Sequence, residues 1–222
     1  MNSTNKNLLL LLATALLAGA TFGGVGIRGG IGIFVPQDST FEDTNANSYM
    51  IELKINLGDY LFLQGGSKFI KVRETSVPIV ASTDITSPYT LGEYKHRLDA
   101  ISVYAGAGAG LELCKGGTGI YPYASGSVGF ISPLVRQELI YNVAGTGGSS
   151  KKLITERHWE MMLIASAGLE VRVIGIGIFV QGDYIWGTRV HYDPVEIDGY
   201  ELVPGGEIET AGWAIYFGLS LN

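Results

Sequence analysis

The sequence predicts an all-β protein built as one eight-stranded antiparallel up-and-down barrel. Three observations predict it: apolar residues alternate with polar residues or glycines through most of the chain, the connections alternate between short and long, and only 16% of the 222 residues are charged. Successive side chains of a strand point to opposite faces, so this alternation gives each strand one apolar and one polar face. A closed ring of such strands separates an apolar exterior from a polar interior.

The N-terminal segment predicts a secretory signal peptide over residues 1–20, followed by one barrel domain over 21–222. Lys6 precedes an apolar run from Leu8, and small residues stand at Ala18 and Ala20. These are the three parts of an export signal. The alternative is a membrane anchor, but a spanning helix needs about 20 apolar residues, and this run is shorter.

The first four strands are predicted at 24–35, 48–57, 60–72 and 95–113. In the first, isoleucines and valines share one face, while glycines and Arg28 occupy the other. In the second, Glu52 and Lys54 fall on the face that carries no aliphatic residue. The Gly58-Asp59 pair favours a tight turn into the third strand. In the fourth, alanines and aliphatics alternate with glycines, which fits close packing in a narrow barrel.

The last four strands are predicted at 120–131, 158–173, 176–186 and 210–222. The sixth has the longest alternation, with aliphatic residues opposite Ser166, Glu170 and Arg172. The seventh places Asp183 on the face opposite Val180. The eighth is expected to pair with the first and close the ring.

The connections indicate which end of the barrel is which. Short ones are expected at 58–59, 114–119 and 174–175, and long ones at 36–47, 73–94, 132–157 and 187–209. This alternation is typical of transmembrane barrels of the bacterial outer membrane, with short periplasmic turns and long extracellular loops. Ten strands remain open if 134–143 or 192–203 form strands of their own, but Pro133, Pro194 and Pro204 favour rim extensions or loop hairpins.

The three tryptophans, Trp159, Trp186 and Trp213, all fall on the apolar face near the long-loop ends of their strands. Aromatic residues favour the boundary between membrane and water. These residues are therefore predicted to form the outer aromatic girdle of the barrel.

Three segments resemble the OmpA-type transmembrane domain and its small eight-stranded relatives. They are the Pro122–Phe130 segment, the Gly-x-Gly-x-Gly run at 106–110 and the closing Trp213–Leu221 segment. The chain differs in carrying Asn222 after Leu221, where such chains usually finish on an aromatic residue. The resemblance implies a place in the bacterial outer membrane, contact with its lipid and lipopolysaccharide, and handling by the barrel assembly machinery.

Charged residues on the polar faces predict a network that fills the lumen. The expected members are Arg28, Glu52, Lys54, Lys68, Glu112, Glu170, Arg172 and Asp183. Opposite charges in a confined interior should pair, because an unpaired buried charge costs several kcal/mol. Arg28 and Glu52 are expected to meet, since they lie at similar distances from the short-turn end of adjacent strands. Eight strands leave room only for side chains, so a plug is expected rather than a conduction path.

The residues available for chemistry form no compact motif. His96, His158 and His191 could join Ser102, Glu160 or Asp183 in a lipid hydrolase or acyltransferase near the rim, but no sequence spacing links them. A metal site at His96 and His158 lacks a third ligand, and the single cysteine, Cys114, excludes an internal disulfide. The prediction is therefore no enzyme, no cofactor and no metal.

The function predicted from the sequence is that of a non-enzymatic outer-membrane barrel. A formal charge of −6 argues against a nucleic-acid partner. A non-enzymatic barrel would contribute to envelope integrity or present its loops to extracellular ligands. The lipid-modifying enzyme, a narrow pore and a soluble periplasmic or secreted barrel remain as alternatives.

Overall fold

The computed structural model describes most of the predicted barrel domain. The described residues are 24–37, 46–71, 75–81, 89–113, 118–142, 149–157, 159–187, 189–192, 194–197, 200–203 and 206–221. The predicted signal peptide, Cys114, His158 and Asn222 lie outside the described residues, and so does the side chain of His96. Within the described part of the chain, no helix is long and apolar enough to cross a lipid bilayer.

The described residues form strands that follow one another along the chain. They are β1 (Val25–Pro36), β2 (Ala46–Leu57), β3 (Leu61–Lys71), β4 (Thr75–Ala81), β5 (Tyr89–Gly110), β6 (Thr118–Asn142), β7 (Ser149–Arg157), β8 (Glu160–Val173), β9 (Ile176–Trp186), β10 (Arg189–Tyr192), β11 (Val195–Ile197), β12 (Tyr200–Val203), β13 (Gly206–Glu209) and β14 (Gly212–Leu221).

Eight of these strands close into a ring in the order β1-β2-β3-β5-β6-β8-β9-β14. Each pairs antiparallel with its neighbours, and β14 returns to pair with β1, as in the match of Ile31 with Phe217. The prediction of an eight-stranded antiparallel up-and-down barrel is confirmed. The ring leaves no free edge in the barrel wall, which removes the unpaired backbone groups of an open sheet.

Burial alternates along the ring strands as the sequence alternates. In β9, residues from Gly177 to Ile185 are buried at every second position, and those between are exposed or half-buried. Phe34, Met50, Phe179 and Tyr216 fill the interior together with the charged residues. The exterior carries exposed leucine, isoleucine, valine and phenylalanine side chains on all eight strands.

Three of the predicted long loops contain strands. The alternation pattern missed β4 and β7, whereas 134–143 and 192–203 were expected as rim extensions or loop hairpins. Beyond the barrel, β4 pairs with residues 89–96 of β5, residues 92–98 of β5 pair with 135–141 of β6, and β7 pairs with 134–142 of β6. These four segments form the projecting sheet, which continues the two ring strands β5 and β6 past the rim of the barrel. The predicted loop 187–209 holds two short hairpin pairings, β10 with β13 and β11 with β12. The ten-stranded alternative is therefore wrong.

The short turns use residues in the left-handed backbone region. Gly58, between β2 and β3, has φ +80°, and Gly175, between β8 and β9, has φ +81°. Glycine adopts this region freely because it lacks a Cβ atom. Ile174, the other residue of the β8–β9 turn, also has a positive φ of 49°, which is unusual for a β-branched side chain.

Candidate functional site

Arg28 lies at the centre of the barrel lumen, fully buried on β1. The register places Arg28 directly opposite Glu52 of β2, and its Nη1 lies 3.4 Å from Glu52 Oε1. Its Nη2 donates to Glu170 Oε2 from β8, on the other side of the lumen. The guanidinium also lies over the Tyr123 ring, with Cζ 4.2 Å from the centroid. Arg28 therefore connects two carboxylates across the interior.

Glu170 is the acceptor on which several donors converge. Besides Arg28, Arg172 donates from Nε to Oε1 over 2.7 Å and from Nη2 to Oε2 over 3.3 Å. Ser220 Oγ donates to Oε1 over 2.7 Å. Hydrogen bonds to a carboxylate stabilise its charged form and offset the loss of water. On Glu52, the corresponding extra donor is Tyr104 OH, 3.0 Å from Oε2.

A second cluster forms farther along the lumen around Asp183 of β9. Lys68 Nζ binds Asp183 Oδ2 across the barrel, and both residues are buried. Gln181 Nε2 donates to Asp183 Oδ1 over 2.9 Å. Tyr123 OH donates in turn to Gln181 Oε1 over 2.7 Å. Because Tyr123 also contacts Arg28, this chain of contacts joins the two clusters into one network.

Lys54 has different partners from the other lumen cations. It is 0% exposed, and its Nζ has no hydrogen-bond partner among the described residues. The ammonium instead lies 4.0 Å from the Tyr121 ring centroid, 4.1 Å from that of Phe62 and 5.6 Å from that of Tyr123. Aromatic faces attract cations through their quadrupoles. These three rings form an aromatic cage around Lys54.

Seven of the eight predicted network members line the lumen, and Glu112 does not. Glu112 lies past the end of β5 at Gly110, where its side chain is exposed. The Glu112 side chain has the alternation of a lumen residue, but it is not buried, because the lumen opens to solvent at the short-turn end. The described network thus holds the cations Arg28, Lys54, Lys68 and Arg172 against the carboxylates Glu52, Glu170 and Asp183.

The sequence reading missed Tyr121 and Phe62 as partners of Lys54. Tyr121 is buried on the same face of β6 as Tyr123, which the alternation pattern could have indicated. Phe62 is a large apolar residue on the lumen side of β3 and packs edge-on against Tyr123, with centroids 6.2 Å apart. A pattern that separates polar from apolar faces assigns such a residue no role in a charged interior.

The three tryptophans of the predicted girdle lie on the outside of the barrel wall. Trp159, Trp186 and Trp213 are all exposed. Tyr184 packs against two of them, with ring centroids 4.5 Å from those of Trp186 and Trp213. Elsewhere on the outer face, Tyr49 and Phe69 form a further exposed ring pair, with centroids 6.5 Å apart.

The residues considered for chemistry are not gathered in the described part of the chain. Ser102 is buried in the lumen, and its Oγ donates to the backbone oxygen of Lys68. His191 is exposed on β10, and Glu160 begins β8. Within the described ranges, no three histidine, cysteine or acidic residues are placed to hold a metal ion.

Comparisons with known proteins concern the fold. No protein-family model matches the chain, and no curated protein sequence matches it. The N-terminal β-barrel domain of OprF from Pseudomonas aeruginosa is 12% identical, with a TM-score of 0.38, over 89% of this chain and 96% of that one. Ail, the attachment invasion locus protein of Yersinia pestis, is also 12% identical, with a TM-score of 0.39, over 89% of this chain and 94% of that one. The chain is similar to both proteins. Its closed ring is established independently, by the pairing of its own strands.

Proposed function

We propose that this chain is a non-enzymatic barrel of the bacterial outer membrane that supports the envelope and presents the projecting sheet to external partners. The observation that carries the proposal is the distribution of polarity across the wall. Large apolar side chains are exposed outside, whereas charged residues are buried within. Soluble monomers rarely expose contiguous apolar patches above a few hundred Å², but an outer-membrane barrel must expose such a band to lipid.

The filled lumen favours a structural role in the envelope over the function of a pore. Three groups of side chains occupy the interior at successive positions along the strands. They are Arg28 with its two carboxylates, the Lys68–Asp183 pair and the aromatic cage of Lys54. An eight-stranded barrel is just wide enough for side chains to fill. Ions would therefore have to displace buried, paired groups to pass.

The projecting sheet supports the role in surface interaction. It extends β5 and β6 beyond the barrel, with β4 and β7 as its two edge strands. Edge strands carry backbone donors and acceptors that can pair with another chain. With the long connections outside the cell, this sheet is the part of the described molecule that an external partner meets first. Lipid, lipopolysaccharide and the assembly machinery are the partners proposed within the envelope.

A pair of substitutions tests the lipid-facing wall. Val180 lies in the middle of β9 and Val173 ends β8, and both side chains are exposed on the outside. Arginine facing lipid costs about 2–4 kcal/mol at mid-membrane and about 0–1 kcal/mol near the interface. We therefore expect Val180→Arg to lower the free energy of unfolding in lipid vesicles far more than Val173→Arg does.

The measurement is urea unfolding in vesicles, followed by the shift in gel mobility between folded and heated protein. Val173→Arg is the matched control, because it makes the same chemical change at the end of the wall. Equal tolerance of arginine at both positions would contradict a membrane around this wall.

A further inference from the structure

Three unsatisfied polar atoms of the barrel interior belong to neighbouring lumen residues. Among the described residues, four buried side-chain nitrogen or oxygen atoms have no hydrogen-bond partner: Arg28 Nε, Lys54 Nζ, Gln64 Oε1 and Ser132 Oγ. Gln64 of β3 is directly opposite Lys54 of β2, and Arg28 of β1 is directly opposite Glu52, two residues before Lys54. Buried polar groups nearly always have a partner. The proximity of the first three therefore indicates a bound polar species.

The Tyr123 ring brings the two cations of this group together. The guanidinium carbon of Arg28 lies 4.2 Å from the Tyr123 centroid, and Lys54 Nζ lies 5.6 Å from it. The two terminal nitrogens of Arg28 bind Glu52 and Glu170, which leaves its Nε without an acceptor. The ammonium of Lys54 meets ring faces and no oxygen acceptor among the described residues. Both cations thus retain free hydrogen-bond donors in the same part of the lumen.

Gln64 supplies a third polar group beside these donors. Its Nε2 donates to Ser125 Oγ and to Ser127 Oγ, each over 2.9 Å, and Ser125 lies two residues beyond Tyr123 on β6. A hydroxyl can either donate or accept a hydrogen bond. Rotation of the Gln64 amide therefore keeps both serine contacts and turns the NH2 group to its free end. Gln64 can then donate to an acceptor that it shares with Arg28 and Lys54.

The lumen network also has one positive charge in excess. Its described members are four cations and three carboxylates, and Lys54 is the cation that has no carboxylate partner. Desolvating an ion is costly unless an opposite charge compensates for the lost water. Aromatic faces supply only the partial charge of a quadrupole. One monovalent anion beside Lys54 would make the described network neutral.

We propose that Lys54, Arg28 and Gln64 form a binding site for one small monovalent anion of the chloride class. Lys54 Nζ and Arg28 Nε donate to this anion, and the single excess charge selects one negative charge. The anion must be small, because both cations are fully buried among the rings of Phe62, Tyr121 and Tyr123. The site lies inside the closed ring, so it goes beyond the proposed role in the envelope and does not depend on it.

Arg172 marks the route by which the anion reaches the site. Its guanidinium carbon lies 4.2 Å from the Tyr121 centroid, and Lys54 Nζ lies 4.0 Å from the same centroid. The side chain of Arg172 is 18% exposed, next to the β8–β9 turn at the short-turn end. A cation at a narrow opening raises the local concentration of anions. The anion therefore exchanges through the short-turn end of the barrel.

The experiment uses the full chain folded in detergent, in buffers of equal ionic strength that contain potassium chloride, gluconate or sulfate. Urea unfolding gives the folding equilibrium constant at each anion concentration. The test variant is Lys54→Met, which removes the ammonium from the aromatic cage. Lys71→Met is the matched control, because it makes the same change at an exposed lysine at the end of β3. Crystals of the unmodified protein grown in bromide provide a second measurement, since the anomalous signal of bromide locates the anion.

The folding equilibrium constant of the unmodified protein should rise about tenfold for each tenfold increase in chloride above the dissociation constant of the site. Gluconate is too large and sulfate carries two charges, so neither should produce this rise. Lys54→Met should lose the dependence on chloride, and Lys71→Met should keep it. Bromide should lie between Lys54 Nζ and Arg28 Nε.

Equal stability in chloride and gluconate, with no bromide at Lys54, would overturn the inference, because water or a neutral lysine would then satisfy the three polar atoms. A chloride dependence that persists in Lys54→Met would overturn it too, since the anion would bind elsewhere. The same rise in sulfate would identify a general salt effect and contradict a site for one monovalent anion.

Discussion

Two lysines of the lumen have the same burial but different partners. Lys68 binds the Asp183 carboxylate, whereas Lys54 meets only the faces of aromatic rings. Desolvating an ion costs several kcal/mol, and a desolvated cation–π contact returns about 2 kcal/mol or more. The aromatic rings thus offset only part of the cost of desolvating Lys54. Lys68 forms an ion pair that offsets the desolvation of both its own ammonium and the Asp183 carboxylate.

The same substitution should therefore have different effects at the two positions. Lys68→Met leaves Asp183 as an uncompensated buried charge and should lower the free energy of unfolding by about 3–5 kcal/mol. Lys54→Met replaces the ammonium by an apolar chain that suits an aromatic cage, so stability should stay unchanged or rise. Urea unfolding of both variants in vesicles checks this. A loss of stability at Lys54 as large as that at Lys68 would show that the cage alone stabilises the ammonium.

At individual positions, the sequence indicates which face a residue occupies better than which residue it meets. The Arg28–Glu52 contact joins neighbouring strands, so the register of one hairpin is enough to bring the two together. The Lys68–Asp183 contact crosses the barrel between residues 115 apart in the chain. That contact depends on the diameter of the ring and on the stagger of its strands, which no local pattern contains.

Among the elements, the β8–β9 hairpin carries an identifiable strain. Ile174 occupies the left-handed region with its side chain 84% exposed, so little packing compensates for its backbone conformation. Turns with two positive φ residues favour Asn-Gly, because asparagine tolerates this conformation. Gly175 already supplies the second residue of such a pair.

Ile174→Asn should accordingly stabilise the barrel by about 1 kcal/mol, which is the order of the penalty for a left-handed non-glycine residue. Ile176→Asn is the control, since Ile176 is also exposed at this end but belongs to β9. Thermal unfolding in detergent compares the variants. An Ile174→Asn protein that melts below the unmodified one would show that Ile174 contributes contacts greater than its strain.

The projecting sheet shows where prediction of elements from the pattern stops. The pattern ends β6 near Ile131 and makes 134–143 a rim extension or a loop hairpin, and the structure shows one continuous strand to Asn142. Pro133 stands where β6 changes partner, between its last pair with β8 at Ile131 and its first with β7 at Leu134. A proline lacks the N–H of a regular ladder. The break between two partners accommodates that loss, and this break is visible only once both partners are placed.

For the molecule as a whole, the alternation pattern was sufficient to predict the closed ring. The pattern works because the two sides of a barrel wall differ so strongly in polarity. β5 ends at Gly110 and not at the predicted residue 113. This difference matters little to the ring, but it decides where Glu112 lies.

We expect the unmodified protein to show no large steady conductance in a planar bilayer, because the network of Arg28, Glu52 and Glu170 crosses the lumen. Glu52→Gln/Glu170→Gln should raise the conductance by removing the two carboxylates that hold Arg28. Glu112→Gln, at an exposed carboxyl outside the network, should leave it unchanged. A large steady conductance of the unmodified protein would favour the narrow-pore alternative.

The central claim is that this barrel lies in an outer membrane with its apolar wall against lipid. The most direct test is fractionation of the full-length protein exported by a bacterial host, followed by electrophoresis with and without heating. The account predicts protein in the outer-membrane fraction that needs detergent for extraction and changes mobility on heating, as closed membrane barrels do. A freely soluble monomer in the periplasm would contradict it.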